Sequence, residues 1–313
     1  MVAFIARRLI AGLALIFVIS FLSYALISLA APDVAHQILG MNASDAQVAA
    51  KQHALGLDQP MVVQYWHWLT AALRGDFGTS WFTSESVAST IMSRLPVTLS
   101  LVVVATLVTG IISWALGVAA ATRRGVVDRI VQIIGVIGYA LPGFLLTLLL
   151  VLVFAVQLHW FPAVGYVGLM TSPSQWLASI TLPVISLSIG AIAGVSQQVR
   201  GSMLGVLDQD YVRTLQARGL SMRRVVFKHA LRNASAPALT VLGLQFVGLL
   251  GGAVLVEQIF GLPGIGSMAV QYTVQGDIPI IMGLVMFSVV GVVIVNLLVD
   301  LLIGWLTPKA RVA

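Results

Sequence analysis

The sequence predicts an all-α integral membrane protein with six transmembrane helices and both termini in the cytoplasm. Three observations predict this. Of its 313 residues, 59% are hydrophobic and 9% charged, with a mean hydropathy of +1.00. Soluble domains carry roughly 25% charged residues. Six apolar runs, at 9–31, 97–121, 130–158, 177–199, 238–258 and 279–305, each reach the length of about 20 residues that crosses a bilayer at about 1.5 Å per residue. The basic residues, finally, are distributed one-sidedly. With these spans, 14 of the 17 Lys and Arg fall at the N-terminus, the 122–129 turn, the 200–233 stretch and the C-terminus, and only Lys51, Arg74 and Arg94 on the other side. Positive charge is retained on the cytoplasmic side.

The first run follows Arg7 and Arg8. A basic start before an apolar stretch also describes a signal peptide, and Ala30-Ala31 resembles a cleavage site. The run exceeds the apolar core of a signal, about 7 to 15 residues, so it reads as an uncleaved first helix. Residues 32–95 form an outer region too long to lack local structure. Ser44 caps a helix through Gln47 to Leu55. Pro60 starts a second, with Val63, Trp66 and Leu69 or Thr70 on one face. Tyr65, Trp66 and Trp68 suit the lipid–water interface better than a ligand site. Outer loops are expected at 159–176 and 259–278.

The stretch from Asp208 to Pro237 stands apart. Apolar runs flank it, yet it holds Arg213, Arg218, Arg223, Arg224, Lys228 and Arg232. Its pattern predicts two short helices around a turn. Gly219 sits where a helix end wants positive φ, and Ser221 is the N-cap of the second helix. Val225, Val226, His229 and Ala230 recur there at helical spacing. Such charges would serve topology alone in a solvated loop. The apolar residues between them point instead to an element that another protein grips.

Several function classes are disfavoured. The basic residues lack interleaved stacking aromatics, so nucleic acid is not a partner. There is no cysteine, hence no disulfide or thiolate chemistry. No zinc-protease motif or nucleophile elbow occurs. The histidines His36, His53, His67, His159 and His229 are scattered; His53 and His67 are the one pair considered for a metal, and none is assigned. The lysines follow Ala50, Phe227 and Pro308, so no phosphate-binding loop exists, and ATP-driven work would need another chain. The spans hold no Lys, Arg or Glu at mid-depth, and Asp300, placed to pair with an Arg at the cytoplasmic end, is the one intramembrane acid. A self-contained ion-coupled carrier or channel therefore fits poorly. Neutral polar residues remain, among them Gln132, Tyr139, Gln197 and Gln245, either as packing positions or along a weakly polar path.

The polar stretch resembles the coupling ("EAA") loop of binding-protein-dependent ABC importer permeases, in particular the dipeptide/oligopeptide/nickel permease family. Asp210, Tyr211, Val212, Arg213, Thr214, Ala217 and Gly219 match that pattern, as do His229 to Ala234 and Pro237; Leu215, Gln216 and Arg218 depart mildly. The resemblance extends through Leu55–Pro60, Arg74–Ser80, Arg94–Leu101, Val256–Gly266 and Asn296–Leu302. It is looser at Leu262, where the family often has Trp, and at Ala31-Pro32-Asp33-Val34, where it often has Pro-Gly-Asp-Pro.

The resemblance implies a type I ABC importer transmembrane fold in a prokaryotic inner membrane. Residues 1–95 would hold the first helix and an extracytoplasmic helical loop. Residues 96–305 would form the five-helix transmembrane domain with the coupling loop at 208–237, and 306–313 a cytoplasmic tail. It also implies a second homologous permease, two cytoplasmic ABC ATPases that bind ATP and Mg, and an extracytoplasmic substrate-binding protein, with no cofactor on this chain. Asp210, Tyr211, Arg213, Thr214, Ala217, Arg218, Gly219, Ser221, Arg224 and His229 become the ATPase contacts. Arg213 and Arg218 face either ATPase acids or Asp208 and Asp210, and both pairings stay open. Glu257, Pro263 and Gly264 become an outer gate or a contact for the binding protein. Peptides are the default substrate; nickel or metal chelates, glutathione and sugars use the same machinery.

Overall fold

The computed structural model describes residues 2–30, 34–40, 42–123 and 125–306, with the side chains of 2–5 and 30 set aside. Ala31-Pro32-Asp33, Arg124 and the tail with Lys309 and Arg311 lie outside the described residues. The regular structure of the described residues is helical, apart from an isolated bridge between Thr79 and Ser86. The helices are α1 (Val2–Ala30), α2 (Val34–Leu39), α3 (Asp45–Ala54), α4 (Met61–Ala72), α5 (Val87–Thr122), α6 (Val126–Ala140), α7 (Gly143–Leu150), α8 (Pro173–Leu207), α9 (Asp210–Ala217), α10 (Met222–Arg224), α11 (Leu231–Ile259), α12 (Ile265–Gln275) and α13 (Ile278–Leu306). Wide π turns at Val151–Gln157 and Val225–Ala230 extend α7 and join α10 to α11.

Among the described residues, five helices are long and apolar enough to cross a membrane: α1, α5, α8, the continuous Met222–Ile259 helix and α13. The run expected as one span over 130–158 is not a single helix. It consists of α6 and the Gly143–Gln157 helix, bent by 96° at Leu141-Pro142. Leu141 adopts φ −79° and ψ 126°, the extended conformation that a following proline imposes. The described residues hold six spans only if this bent pair counts as one. The helix ends also outrun the apolar runs. Pro237, expected at the end of the polar stretch, lies inside α11, and Pro96 and Pro183 are likewise accommodated within α5 and α8.

The chain divides into two compact units. One comprises Val2–Pro96 and Pro263–Val293. Its α3 begins as expected: Ser44 and Gln47 form a reciprocal capping box. On α4 the buried residues are Tyr65 and Leu69, whereas Val63 and Trp66 are exposed. The sequence-derived face was thus rotated, and Tyr65 belongs to the core rather than the lipid–water interface. Its ring packs edge-on against Phe17, Phe21 and Tyr24 of α1, and its hydroxyl lies 2.9 Å from Ser20 Oγ. Asp277 precedes α13 and is fully buried. It accepts a 2.5 Å hydrogen bond from Ser80 Oγ and one from the Ile280 amide, and the Trp81 and Phe82 amides point at it. Burial nevertheless raises its pKa, outweighing these bonds. Near it, Gly283 gives α5 room: a methyl there would collide with Val87.

The other unit comprises Val97–Leu262 and the chain from Ile294. Its centre is α8, packed against α6, α7 and α11. Small residues set the helix spacing, as they do in membrane bundles. A Cβ at Gly117 would sit 2.6 Å from Val199 and 2.8 Å from the Ser196 carbonyl. Asp128 and Arg200 clasp α6 to α8 through two bonds, at 2.5 and 2.7 Å.

Candidate functional site

Two features of the α8-centred unit are candidates. The first is the polar turn after α8. Helix α9 is short, and two residues hold it: Val212 is buried among Met203, Leu207, Val225, Val226 and Ala230, and Tyr211 Oη accepts a 3.1 Å hydrogen bond from Asn233 Nδ2 of α11. The helix ends in a Schellman motif. The Gly219 amide donates to Gln216 O at 2.8 Å and the Leu220 amide to Leu215 O at 3.2 Å. Gly219 sits at φ +83°, a conformation glycine adopts without the cost a side chain adds. Ser221 has the extended backbone of an N-cap, but its hydroxyl makes no capping bond.

This arrangement leaves one face outward. Asp210, Arg213, Thr214, Ala217, Arg218, Gly219, Ser221 and Arg224 are exposed, while Tyr211 and His229 are half-buried. Arg213 Nη1 lies 3.6 Å from Asp210 Oδ1, between two highly exposed side chains, so that pairing is solvent-screened and weak. The second expected helix is not separate. It continues through the π turn into α11 as one helix from Met222 to Ile259, and α9 packs against that turn. Sequence reasoning missed Val212 and Asn233 as its anchors. The signal available was Val212 as the aliphatic residue between Tyr211 and the exposed Arg213.

The second feature is a cavity of about 420 Å³ at the break between α6 and α7. Tyr139, Leu141, Gly143 and Phe144 face small residues of α8 and α11, including Gly190, Gly248 and Gly252, with Ser186 and Gln245 as polar groups. Non-helical backbone at membrane depth is tolerated where it lines such a cavity. Of the four proposed path residues, Tyr139 and Gln245 line it. Gln132 instead bonds Asp128, and Gln197 lies against Gly135. The glycines Gly248 and Gly252, one turn apart on α11, were the missed signal.

Glu257 is fully buried near the end of α11 and accepts a 2.5 Å hydrogen bond from Thr98 Oγ1 of α5. Sequence reasoning did not find that partner. In the other unit, Pro263 is exposed and Gly264 buried as the N-cap residue of α12. His53 Nδ1 contacts Asp58 at 2.7 Å, and no group of three or more potential metal ligands occurs among the described residues.

Comparison with known proteins identifies the family. Residues 111–312 match the family model described as binding-protein-dependent transport system inner membrane component, and residues 1–102 match its N-terminal counterpart. A probable peptide ABC transporter permease protein y4tP of Sinorhizobium fredii is 38% identical over 98% of this chain and 99% of its own. Oligopeptide transport system permease protein AppB of Bacillus subtilis is 37% identical over 99% of both chains. Glutathione transport system permease protein GsiC of Salmonella choleraesuis is 35% identical over 99% of both. Among solved structures, an inward-facing MetNI methionine ABC transporter shares the fold, with a TM-score of 0.57 and 17% identity, covering 70% of this chain and 97% of that one.

Proposed function

The chain belongs to the family of binding-protein-dependent transport system inner membrane components, and from that membership we propose that it forms half of the pathway by which an ATP-driven importer takes up di- and oligopeptides. The observation that carries the coupling role is the anchored, outward-facing α9 with its Gly219 turn. A short helix fixed by Val212 and Tyr211 transmits force, because it cannot rotate independently of α8 and α11. The family supports pairing with a second permease, docking of two ABC ATPases on α9, and substrate delivery by an extracytoplasmic binding protein. The ATPases bind ATP and Mg, and this chain binds no cofactor.

In this reading Arg218, Ser221, Arg224 and His229, with the outer face of α9, meet the ATPase surface. ATP-driven closure moves α9, and with it α8 and α11, which line the cavity at the α6–α7 break. Tyr139 and Gln245 then offer hydrogen bonds to a passing neutral amide chain, while Gln132 and Gln197 support packing. Glu257 serves as a brace: its bond to Thr98 holds α11 to α5 near the outer end, beside the turn to Pro263 and Gly264. The termini and α9 are cytoplasmic, as the basic residues require.

The test is reconstitution of the permease pair in liposomes, with and without the ATPases and binding protein. Peptide uptake that needs all components and ATP supports the reading, whereas uptake by the permeases alone overturns it in favour of a carrier or channel. The named glutathione relative makes glutathione the second substrate to assay.

A further inference from the structure

The structure holds a second groove, separate from the α6–α7 cavity. It has a volume of about 770 Å³ and runs between the last turns of α5 and the helix that starts at Met222. Trp114, Val118 and Arg123 line it on the α5 side; Arg223, Phe227 and Leu231 line it on the other. The two walls are in a defined register. Trp114 Nε1 lies 3.4 Å from Ser235 Oγ, which sets the apolar end of α5 beside the apolar end of the opposite wall. Arg123 follows the last residue of α5, nine positions after Trp114, a helical rise of about 12 Å to Thr122 at 1.5 Å per residue and one residue more. Counting back along the second helix by the same rise reaches the first turns after Met222. Arg123 and Arg223 therefore lie toward one end of the groove along their helices, and Trp114 and Leu231 toward the other.

No ion pair or side-chain hydrogen bond engages Arg123 or Arg223 among the described residues. Phe227 is 61% exposed between Arg223 and Lys228. The groove thus combines a cationic mouth, an aromatic rim and an apolar floor that follows a membrane-crossing helix inward. That polarity, ordered along the axes of the two wall helices, matches one ligand class. We propose that the groove binds an anionic phospholipid, with its phosphate between Arg123 and Arg223 and an acyl chain along Ala115, Val118 and Val226. Arginine forks suit phosphate oxygens, and basic pockets beside transmembrane helices recognise anionic headgroups. The bound lipid would wedge beside the π turn against which α9 packs, linking membrane composition to the coupling element.

The test uses the purified full chain in mild detergent and native mass spectrometry. Phosphatidylglycerol, phosphatidylcholine and sodium phosphate are each titrated separately. The expected result is selective retention of phosphatidylglycerol, with inorganic phosphate failing to bind or compete. An Arg123→Gln, Arg223→Gln variant is expected to lose that selectivity by about tenfold or more, from two near-surface cations. A Lys51→Gln, Arg74→Gln control, with the same charge change elsewhere, should keep it. Val118→Trp, which fills the floor and keeps the charges, should also reduce retention. Equal retention by the groove and control variants overturns the proposal. So does binding of free phosphate alone, or displacement of no lipid by Val118→Trp. Loss of ATPase binding in the arginine variant with unchanged lipid retention would assign the groove to the ATPase and equally overturn it.

Discussion

Two buried carboxylates show how much single residues contribute. Asp277 binds the 80–82 turn through Ser80 and backbone amides. Truncation by Asp277→Ala leaves those donors unsatisfied and is expected to cost about 2–3 kcal/mol, read as a lower Tm of the detergent-solubilised chain. Asp277→Asn keeps an acceptor and removes the charge. Because burial raises the folded pKa above the ordinary carboxylate value near 4, the native carboxylate costs stability once it ionises. Wild-type Tm should therefore fall as pH rises from about 4 through the raised pKa, while Asp277→Asn shows a flatter profile. A steeper decline in the Asn variant would contradict this. Thr98→Val tests the other carboxylate. It strips a hydroxyl from the buried Glu257 and should destabilise by about 2–4 kcal/mol, with Glu257→Gln less harmful. Neither partner was legible in the sequence, since Thr98 and Glu257 are 159 positions apart and Ser80 and Asp277 are 197 apart. Long-range polar pairing leaves no local periodicity.

Elements were legible where local chemistry decides them. Ser44 with Gln47 announced the start of α3, and Gly219 the end of α9, because capping and positive φ depend on a few consecutive residues. The face of α4 was not legible: Tyr65 and Trp66 are neighbours of similar character, and only the aromatic surface of α1 selects Tyr65. Proline was ambiguous for a similar reason. Pro96, Pro183 and Pro237 lie within helices, whereas Pro142 breaks one, and the cavity that accommodates the break is formed by distant helices. Two substitutions test the element scale. Gly219→Pro cannot reach φ +83°, since the ring fixes φ near about −65°. It should abolish ATP-driven uptake by the reconstituted importer while membrane insertion and lipid-phase yield stay normal. Retained uptake would remove α9 from the coupling role. Gly117→Val drives side-chain atoms into Val199 and the Ser196 carbonyl, and overpacking should cost about 1–3 kcal/mol, seen as a lower Tm. Gly201→Ala, where nothing crowds a Cβ, is the matched control.

At the scale of the whole molecule, the α6–α7 pair either crosses the membrane or returns to the side it entered. The sequence supplied an even count from a one-sided charge distribution, and the 96° bend makes that count testable. The chain has no cysteine, so single cysteines at exposed positions report their side directly through a membrane-impermeant maleimide. Between Ala50 and Gln209 lie α5, the bent pair and α8. If the pair crosses, there are three crossings, and Ala50→Cys and Gln209→Cys must react from opposite sides. If it is re-entrant there are two, and both must react from the same side. Met170, between the pair and α8, is 97% exposed and gives an independent check: it shares a side with Ala50 only if the pair crosses. The positive-inside bias predicts that Ala50→Cys and Met170→Cys label in intact cells and Gln209→Cys only after disruption. Labelling of all but Met170→Cys in intact cells, or of Ala50→Cys together with Gln209→Cys on disruption alone, would demand a re-entrant pair. The α9 surface and the N-terminus would then face opposite compartments, and the charge count would have to be explained by the coupling surface itself.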